Sequence, residues 1–322
     1  MKVIQFDRVG GPEVMHVAEA PKPQVAPGMV LVKNRAVGIN FADVLFRQGQ
    51  YAIAPHFPDT PGFEAAGVVE AVGPGVEHLK PGARVAIIAM KAYAEYSLAP
   101  AQVAIPLPEF LDFEQGAAFP IQVLTAWHML HTSHHASAGQ TVLVHAAAGG
   151  VGIVAIQIAK AAGAKVIGTV SSESKAALAR KYGADEVINY ATKDFADELM
   201  RLTGGKGVDL ILDAVGKPTF EKGLKCLKPF GHLILFGRAG GAPDPLNTTA
   251  LFEKSIKVSG FALPVVSRLP ETMRRGIEGS LELMREGKLK VLVGKTFPLA
   301  QAAEAHRYME SRQSVGKILL IP

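Results

Sequence analysis

A short apolar run, a glycine cluster and a longer apolar run follow one another between residues 141 and 159. The first run, Thr141–Val144, is rich in β-branched residues, and the segment "HAAAGGVG" (145–152) separates it from a run of helical character. The stretch carries no formal charge and approaches the length of a membrane span. Because glycines interrupt it where the pattern changes, a buried strand, a tight turn and a buried helix are predicted instead.

The same alternation of strand and helix continues along the chain. From about Ile121, strands are predicted near 142–144, 165–170, 186–188, 208–212 and 232–236, and helices near 150–162, 173–182, 194–202 and 217–227. Strands that alternate with helices form a parallel sheet. The predicted fold class is therefore α/β, with a Rossmann-type, doubly wound parallel sheet.

The residues before this region have a different texture. They are rich in proline and glycine, with short β-like runs at 29–36, 65–72 and 83–89, which is typical of antiparallel or barrel-like structure. Two helical stretches (268–286 and 300–311) and a last strand (317–321) are expected to return to this first domain. The predicted division is thus a discontinuous β-rich domain, 1–121 and 262–322, and a Rossmann domain, 122–261.

Composition excludes several kinds of protein. The formal net charge is +5, but basic residues cluster only in pairs such as Arg180-Lys181, so a nucleic-acid partner is not expected. The single cysteine, Cys226, cannot form an intrachain disulfide or a multi-cysteine zinc site, which favours a reducing, cytoplasmic location. The N-terminus alternates apolar and polar residues, so a strand is predicted there and neither a signal peptide nor a membrane partner.

The glycine cluster is a candidate phosphate-binding turn. Placed on the pattern G-x-G-x-x-G, the three positions are Ala147, Gly149 and Gly152, with alanine replacing the first glycine. A lone match of this kind is weak, and a simple tight turn is the alternative. Its position between strand and helix favours a dinucleotide pyrophosphate, because the amides and dipole of a helix N-terminus attract anions.

The residues after the second predicted strand favour NADPH over NADH. An NAD site usually has an acidic residue there. Here Ser171 and Ser172 occupy that place and Lys175 follows, which suits a 2′-phosphate, and Tyr190 lies after the next strand. Alternatively, one serine caps a helix and the lysine is solvated.

Six segments in order along the chain carry a family resemblance. They are "GINFADVLFRQGQY" (38–51), "PGFEAAGVVEAVGPGV" (61–76), "HAAAGGVG", "GTVSSESKAALARKYGADEVINY" (168–190), "DAVG" (213–216) and "SRQSVGKILLIP". Together they cover essentially the whole chain and resemble the zinc-independent quinone oxidoreductases, including zeta-crystallin, of the medium-chain dehydrogenase/reductase superfamily. The resemblance implies that the β-rich domain is GroES-like and catalytic, and that the protein is a homodimer formed through the cofactor domain. Residues 233–236 and 256–261 are expected at the dimer edge.

The resemblance also implies site residues. Those expected around the pyrophosphate are Ala146, Gly149, Gly150, Val151 and Gly152. Those expected around the 2′-phosphate are Ser171, Lys175, Tyr190 and Arg312, and Phe236 and Gly237 are expected near the nicotinamide. Those expected around the nicotinamide and substrate are Asn40, Asp43, Tyr51 and Thr125. The family often has tyrosine where this chain has Leu45, a difference that bears on the substrate pocket.

No bound metal is expected. The resemblance implies that Asn40 and Phe63 stand where zinc-dependent relatives place a cysteine and a histidine, and Glu64 alone cannot hold zinc. The cluster His131, His134 and His135 is interpreted as the frayed end of a helix (122–132) and its loop, because no acidic or cysteine partner is near it in sequence.

Without a Lewis acid, the substrate must already be electrophilic. The hypothesis is hydride transfer from NADPH to a quinone or an α,β-unsaturated carbonyl, with Asn40 donating a hydrogen bond to the acceptor carbonyl and Tyr51 donating or relaying a proton. Asn40 as a turn or cap residue, Tyr51 as a packing residue, Asp43 as a structural residue and Thr125 as a cap within its helix are the alternatives. Two other functions stay open: a 2-enoyl thioester reductase, and a non-catalytic NADPH-binding protein with a crystallin-like or RNA-associated role.

Overall fold

A computed structural model describes all 322 residues, which form two compact units. The β-rich unit consists of Met1–Gln122 and Val291–Pro322, and the parallel-sheet unit consists of Val123–Lys290. The β-rich unit is therefore discontinuous in sequence.

Strands dominate the N-terminal part of the β-rich unit. They are β1 (Lys2–Phe6), β2 (Met15–Glu19), β3 (Met29–Ile39), β4 (Glu64–Val72), β5 (Arg84–Ile88), β6 (Tyr96–Pro100) and β7 (Ala104–Pro106). The helices in this part are α1 (Phe41–Arg47) and α2 (Phe113–Ala117), with 3₁₀ turns at Pro12–Val14 and Ala101–Val103.

Strands and helices alternate in the parallel-sheet unit. The chain reaches it in α3 (Pro120–His128), which continues as a π-helical turn, Met129–His134. The elements that follow are β8 (Thr141–Val144), α4 (Gly150–Ala161), β9 (Lys165–Val170), α5 (Glu173–Lys181), β10 (Glu186–Asn189), α6 (Phe195–Leu202), β11 (Val208–Asp213), α7 (Phe220–Lys225), β12 (Leu227–Leu235), a 3₁₀ turn (Thr248–Leu251), β13 (Lys257–Gly260), α8 (Leu263–Val266) and α9 (Pro270–Arg285).

The last segment belongs again to the β-rich unit. It contains β14 (Val293–Pro298), a 3₁₀ turn (Leu299–Gln301), α10 (Ala302–Glu310) and β15 (Lys317–Ile321). The return to this unit occurs at residue 291, whereas the sequence placed it at 262. The reason is packing: a Cβ at Gly279 in α9 would lie 2.9 Å from Trp127 Nε1, and the Gln157 side chain bonds both the N–H and the C=O of Lys290 at 2.9 Å.

The parallel sheet has the strand order β10-β9-β8-β11-β12-β13, and every neighbouring pair is parallel. This is the doubly wound order 3-2-1-4-5-6, so the predicted fold class is confirmed. Residues 141–159 form β8, a turn and α4, as the break in their pattern predicted. No helix of the protein combines the length and the apolar character needed to cross a lipid bilayer.

The larger sheet of the β-rich unit has the order β14-β15-β3-β4-β5-β7, and β6 also pairs with β3. Strand β15 lies between β14, to which it is parallel, and β3, to which it is antiparallel. Side chains from both chain segments, including Ile39, Phe46, Ile87 and Leu320, form one hydrophobic core. Burial of this apolar surface holds the C-terminal segment of the β-rich unit against its N-terminal segment.

Candidate functional site

The glycine cluster forms the turn between β8 and α4, at the carboxyl edge of the parallel sheet. Ala146 has a positive φ of 52°, and Gly149 is the N-cap residue of α4. The N–H of Ile153 bonds the Gly149 carbonyl at 2.9 Å, so it is the amides of residues 150–152 that point out of the helix end. This arrangement fits a pyrophosphate, because an anion is favoured by those amides and by the helix dipole.

The replacement of the first motif glycine by Ala147 is accommodated by the neighbouring strand. A Cβ at Gly168 in β9 would lie 2.7 Å from the Ala147 side chain, so glycine at 168 leaves the room that Ala147 fills. The Ala147 N–H bonds the Thr169 carbonyl at 3.0 Å. At Gly152 a Cβ would clash with the Ala146 carbonyl oxygen, so that position requires glycine.

The carboxyl end of β9 carries the residues expected around a 2′-phosphate. Ser172 is the N-cap of α5, and its side chain accepts a hydrogen bond from the Lys175 N–H at 3.3 Å. The alternative that one of the two serines caps a helix therefore holds for Ser172. Burial lowers the pKa of the Lys175 ammonium below its ordinary value. Tyr190 lies at the same edge, since its N–H bonds the Val170 carbonyl at 3.0 Å. Ser171 stands between Val170 and the cap and is partly buried.

Glu173, the first residue of α5, has a side-chain partner of its own. Glu173 accepts a hydrogen bond from Asn189 Nδ2 at 2.9 Å. This bond joins the start of α5 to the end of β10.

Phe236 and Gly237 follow β12 and run beside the end of β11. The Phe236 N–H bonds the Asp213 carbonyl at 2.9 Å, and a Cβ at Gly237 would lie 2.7 Å from the Ala214 carbonyl oxygen. The Asp213 carboxylate, which the sequence analysis did not single out, accepts bonds from the Val215 N–H at 2.7 Å and the Gly216 N–H at 3.0 Å. Asp213 therefore fixes the "DAVG" turn against which the Phe236-Gly237 segment lies.

Two other predicted residues, Thr125 and Arg312, belong to different units. Thr125 is buried in α3 of the parallel-sheet unit. Arg312 belongs to the β-rich unit, where it is exposed just after α10 and has a positive φ of 59°.

In the β-rich unit, Asn40 is the N-cap residue of α1, and its side-chain amide bonds two side chains on other strands. Asn40 Nδ2 donates to Glu64 Oε1 at 2.8 Å, and Asn40 Oδ1 accepts from Lys317 Nζ at 2.6 Å. Lys317 Nζ also donates to Glu64 Oε1, and Glu64 Oε2 accepts the Ile121 N–H at 2.8 Å. The Glu64 and Lys317 side chains are 0% and 3% exposed, so this is a buried and hydrogen-bonded ion pair.

Strand register brings these side chains together. Ile318 pairs with Ile39, so the antiparallel register places Lys317 opposite Asn40. Val37 pairs with Ala65 across β3 and β4, which places Glu64 opposite Gly38. A Cβ at Gly38 would lie 2.6 Å from Glu64 Oε1, so glycine there leaves room for the carboxylate. Lys317 was not among the residues predicted from the sequence; the available signal was a single charge beginning an apolar strand, "KILLI".

Asp43 has a structural role in α1. Its Oδ2 accepts the Asn40 N–H at 2.6 Å, so it caps the first turn of the helix. Burial raises the pKa of the Asp43 carboxyl to about 7, against the opposing influence of that hydrogen bond and of the Lys317 charge. Asp43 is therefore a titratable group beside Asn40, and the alternative that it is structural agrees with its hydrogen bond.

A buried chain of polar side chains leads to Asp43 from the other side. Arg47 Nη1 lies 3.0 Å from His306 Nδ1, and Tyr93 Oη lies 2.9 Å from His306 Nε2. Because a guanidinium only donates, Nδ1 is the acceptor and Nε2–H donates to the tyrosine. Burial, and secondarily the charge of Asp43, raise the pKa of Tyr93 well above its ordinary value. Because Arg47 does not give up its proton, the chain orients the Tyr93 hydroxyl and is not a proton relay.

Tyr51 packs against Phe63. Their ring centroids are 5.2 Å apart, so the alternative of a packing residue has structural support. Burial, and secondarily the charge of Asp43, raise the pKa of the Tyr51 hydroxyl. Tyr51 is partly buried.

The three clustered histidines were predicted to lie on the frayed end of a helix and its loop. The structure differs, because the helix end is ordered. His131 and His134 belong to the ordered π-helical turn, and His135 ends it with a φ of 61°. The His131 ring lies 4.7 Å from that of Trp127, and the His134 ring lies 5.6 Å from that of His232, so both are packed. Among the 322 described residues, no group of three or more His, Cys, Asp or Glu side chains is arranged to hold a metal ion.

A doubly wound parallel sheet with a glycine turn at its switch point, joined in one chain to a β-rich unit, defines a class of dinucleotide-binding proteins. Comparison with known proteins agrees. Residues 26–109 match the family model of the alcohol dehydrogenase GroES-like domain, and residues 150–278 match that of the zinc-binding dehydrogenases.

Individual relatives cover almost the whole chain. A quinone oxidoreductase of Pseudomonas aeruginosa is 40% identical over 100% of this chain and 99% of its own length. A 2-haloacrylate reductase of a Burkholderia species is 40% identical over 97% of this chain and 96% of its own length. The structure of Escherichia coli quinone oxidoreductase complexed with NADPH matches with a TM-score of 0.96 and 39% identity, covering 100% of both chains. The chain belongs to the quinone oxidoreductase family of the medium-chain dehydrogenase/reductase superfamily.

The raised pKa of Asp43 predicts a pH-dependent loss of stability. The pKa is about 7 in the native protein against an ordinary value of 3.8, so the native state binds the extra proton between these values. Stability then falls as the pH rises through this window. From pH 5 to pH 8, the urea-unfolding free energy of the parent protein should therefore fall relative to that of Asp43→Asn, which keeps an acceptor for the Asn40 N–H. An identical pH dependence in the two proteins would contradict the assignment.

Proposed function

We propose that this protein catalyses the NADPH-dependent reduction of quinones or α,β-unsaturated carbonyl compounds by hydride transfer, without zinc. The observation that carries the proposal is the glycine turn, whose amides at 150–152 offer an anion site at the carboxyl edge of a doubly wound sheet. The quinone oxidoreductase relatives, which match over nearly their full length, support the reaction class.

NADPH is the proposed cofactor. The side chains around the 2′-phosphate are proposed to be Ser171, Lys175, Tyr190 and Arg312. Glu173, which would otherwise accept bonds from ribose hydroxyls, is held by Asn189, and this favours a phosphate over a bare ribose. The NADPH complex of the Escherichia coli relative supports the same choice.

The remaining cofactor contacts are proposed from the backbone. The turn residues Ala146, Gly149, Gly150, Val151 and Gly152 would hold the pyrophosphate, and Phe236 and Gly237 would lie near the nicotinamide. When bound, NADPH supplies the hydride from C4 of its nicotinamide ring. The protein contributes orientation and hydrogen bonds.

Asn40 is the proposed hydrogen-bond donor to the acceptor carbonyl. Its Nδ2 carries two hydrogens, and the bond to Glu64 uses one of them. A donor aimed at an oxygen that gains negative charge lowers the barrier, because the interaction strengthens as the charge develops. Tyr51 is the proposed proton donor, Asp43 positions Asn40 through its backbone N–H, and Thr125 is a proposed contact of the nicotinamide or substrate.

The acceptor is proposed to be electrophilic before it binds. A quinone or a conjugated carbonyl accepts hydride without a Lewis acid, and the name of the Burkholderia relative, a 2-haloacrylate reductase, fits a conjugated acceptor. Zinc independence is supported by Phe63, which has no ligand atom, and by Glu64, whose carboxylate is already paired with the Lys317 ammonium.

A homodimer and a cytoplasmic location complete the proposal. Strand β13 is the last strand of the parallel sheet and pairs with β12 through residues 257–260, so its outer edge offers backbone groups to a second copy. The single, buried Cys226 fits a reducing compartment.

Removal of one charge on α5 tests the cofactor assignment. Lys175→Ala should weaken NADPH binding by about 1.5–3 kcal/mol, the worth of a hydrogen bond between charged groups, and leave NADH binding unchanged. Lys181→Ala, which removes the same charge from the exposed end of the same helix, is the control and should change neither affinity. Both dissociation constants are measured by isothermal titration calorimetry. Equal losses for the two cofactors with Lys175→Ala would remove this lysine from the 2′-phosphate site.

The activity itself is tested with chelator-treated protein. NADPH oxidation is followed with 9,10-phenanthrenequinone, a simple enone and an enoyl-CoA, each also with NADH. The proposal predicts quinone- or enone-dependent oxidation of NADPH, little oxidation of NADH and no loss of rate after chelation. Reaction with the enoyl-CoA alone would indicate a 2-enoyl thioester reductase, and NADPH binding without any turnover would indicate the non-catalytic alternative.

A further inference from the structure

The orientation of the Asn40 amide is fixed by its two neighbours. Oδ1 faces the Lys317 ammonium, which can only donate, and Nδ2 faces the Glu64 carboxylate, which can only accept. An amide rotated by 180° would place its N–H₂ against the ammonium and its oxygen against the carboxylate. Only one orientation therefore satisfies both neighbours.

Both neighbours are themselves held rigidly. Glu64 accepts three hydrogen bonds, from Asn40, Lys317 and the Ile121 N–H, and Lys317 bonds both Asn40 and Glu64. The two charged side chains are 0% and 3% exposed. Glu64 lies on β4 and Lys317 on β15, and these two strands flank β3 on either side.

We propose that Lys317 and Glu64 are positioning residues that fix the Asn40 amide so that its second Nδ2 hydrogen is presented to the acceptor carbonyl. The inference rests on the proposed function, in which Asn40 donates to that carbonyl. Lys317 sets the direction of the amide, because it holds Oδ1 and so leaves both amide hydrogens on the opposite side. Neither Lys317 nor Glu64 touches the reacting atoms.

The attraction between the two charges does not by itself explain why a buried ion pair is present here. A buried ion pair is often no more stabilising than an apolar pair of similar volume, because removing both charges from water is costly. The hydrogen bonds to Asn40 give the pair a second role. They select one of the two orientations of the Asn40 amide, which are otherwise similar in shape. Without the pair, the amide can turn its oxygen toward the acceptor carbonyl, where it repels the developing charge.

The test removes both charges together. Lys317→Met with Glu64→Gln leaves no unpaired buried charge, and its glutamine can accept from or donate to Asn40, so the amide direction is no longer specified. We expect kcat with the quinone to fall about 100-fold, as for loss of one oxyanion donor, with the dissociation constant of NADPH unchanged. In an Asn40→Ala background the same pair of substitutions should lower kcat by no more than about twofold, because residues that act through one group are not additive.

A single substitution provides the matched variant and covers the case in which the double variant does not fold. Glu64→Gln alone removes the charged acceptor of Asn40 Nδ2 but keeps Lys317 as the donor to Asn40 Oδ1, so its kcat should lie between those of the parent and of the double variant. Thermal unfolding and circular dichroism establish that each variant is folded. A kcat for Glu64→Gln as low as that of Asn40→Ala would overturn the claim that the lysine sets the amide direction.

The outcomes separate the inference from the function on which it rests. Equal kcat losses for the charge-removing pair in the parent and Asn40→Ala backgrounds would overturn the positioning role while leaving Asn40 catalytic. Full activity of Asn40→Ala would overturn both the role of Asn40 and the positioning inference, although NADPH-dependent reduction itself would stand. Absence of turnover by the parent protein would overturn the proposed function and the inference with it.

Discussion

The buried ion pair between Lys317 and Glu64 joins the last strand of the chain to the first domain and places a polar group at the start of α1. Both charges are out of contact with water, so each must be fully bonded for the fold to tolerate them. Asn40 and the Ile121 N–H complete those bonds. Hydrogen bonding of the two buried charges therefore fixes the orientation of the Asn40 amide, the group that we propose as donor to the acceptor carbonyl.

The same principle governs the surroundings of Asp43. A carboxyl with no exposure and a pKa raised to about 7 is held by the N–H of Asn40 and approached by Tyr93, whose orientation is set by His306 and Arg47. Two separate polar networks thus converge on residues 40–43. In the parallel-sheet unit, by contrast, the backbone amides of residues 150–152 point out of the end of α4, and Gly152 leaves room for the Ala146 carbonyl oxygen.

Much of the fold could be predicted from the sequence because it depends on local patterns. The change from a β-branched run to a helical one at Gly149 located β8 and α4, and the repeated alternation gave the parallel sheet. The compensation between Ala147 and Gly168 and the partnership of Lys317 with Glu64 could not be predicted, because each depends on strand register between distant residues. The boundary at 290/291 was missed for the same reason, since the packing of α9 on Trp127 leaves no local signal.

The central claim is that NADPH delivers a hydride to an already electrophilic acceptor. The most direct measurement is reduction of an enone with NADPH deuterated at C4, in ordinary water, followed by mass spectrometry and NMR of the saturated ketone. The account predicts deuterium from one face of the cofactor at the β-carbon of the product and a solvent proton at the α-carbon. Deuterium at the carbonyl carbon, which would mean alcohol formation, or a product without deuterium from either face, would contradict it.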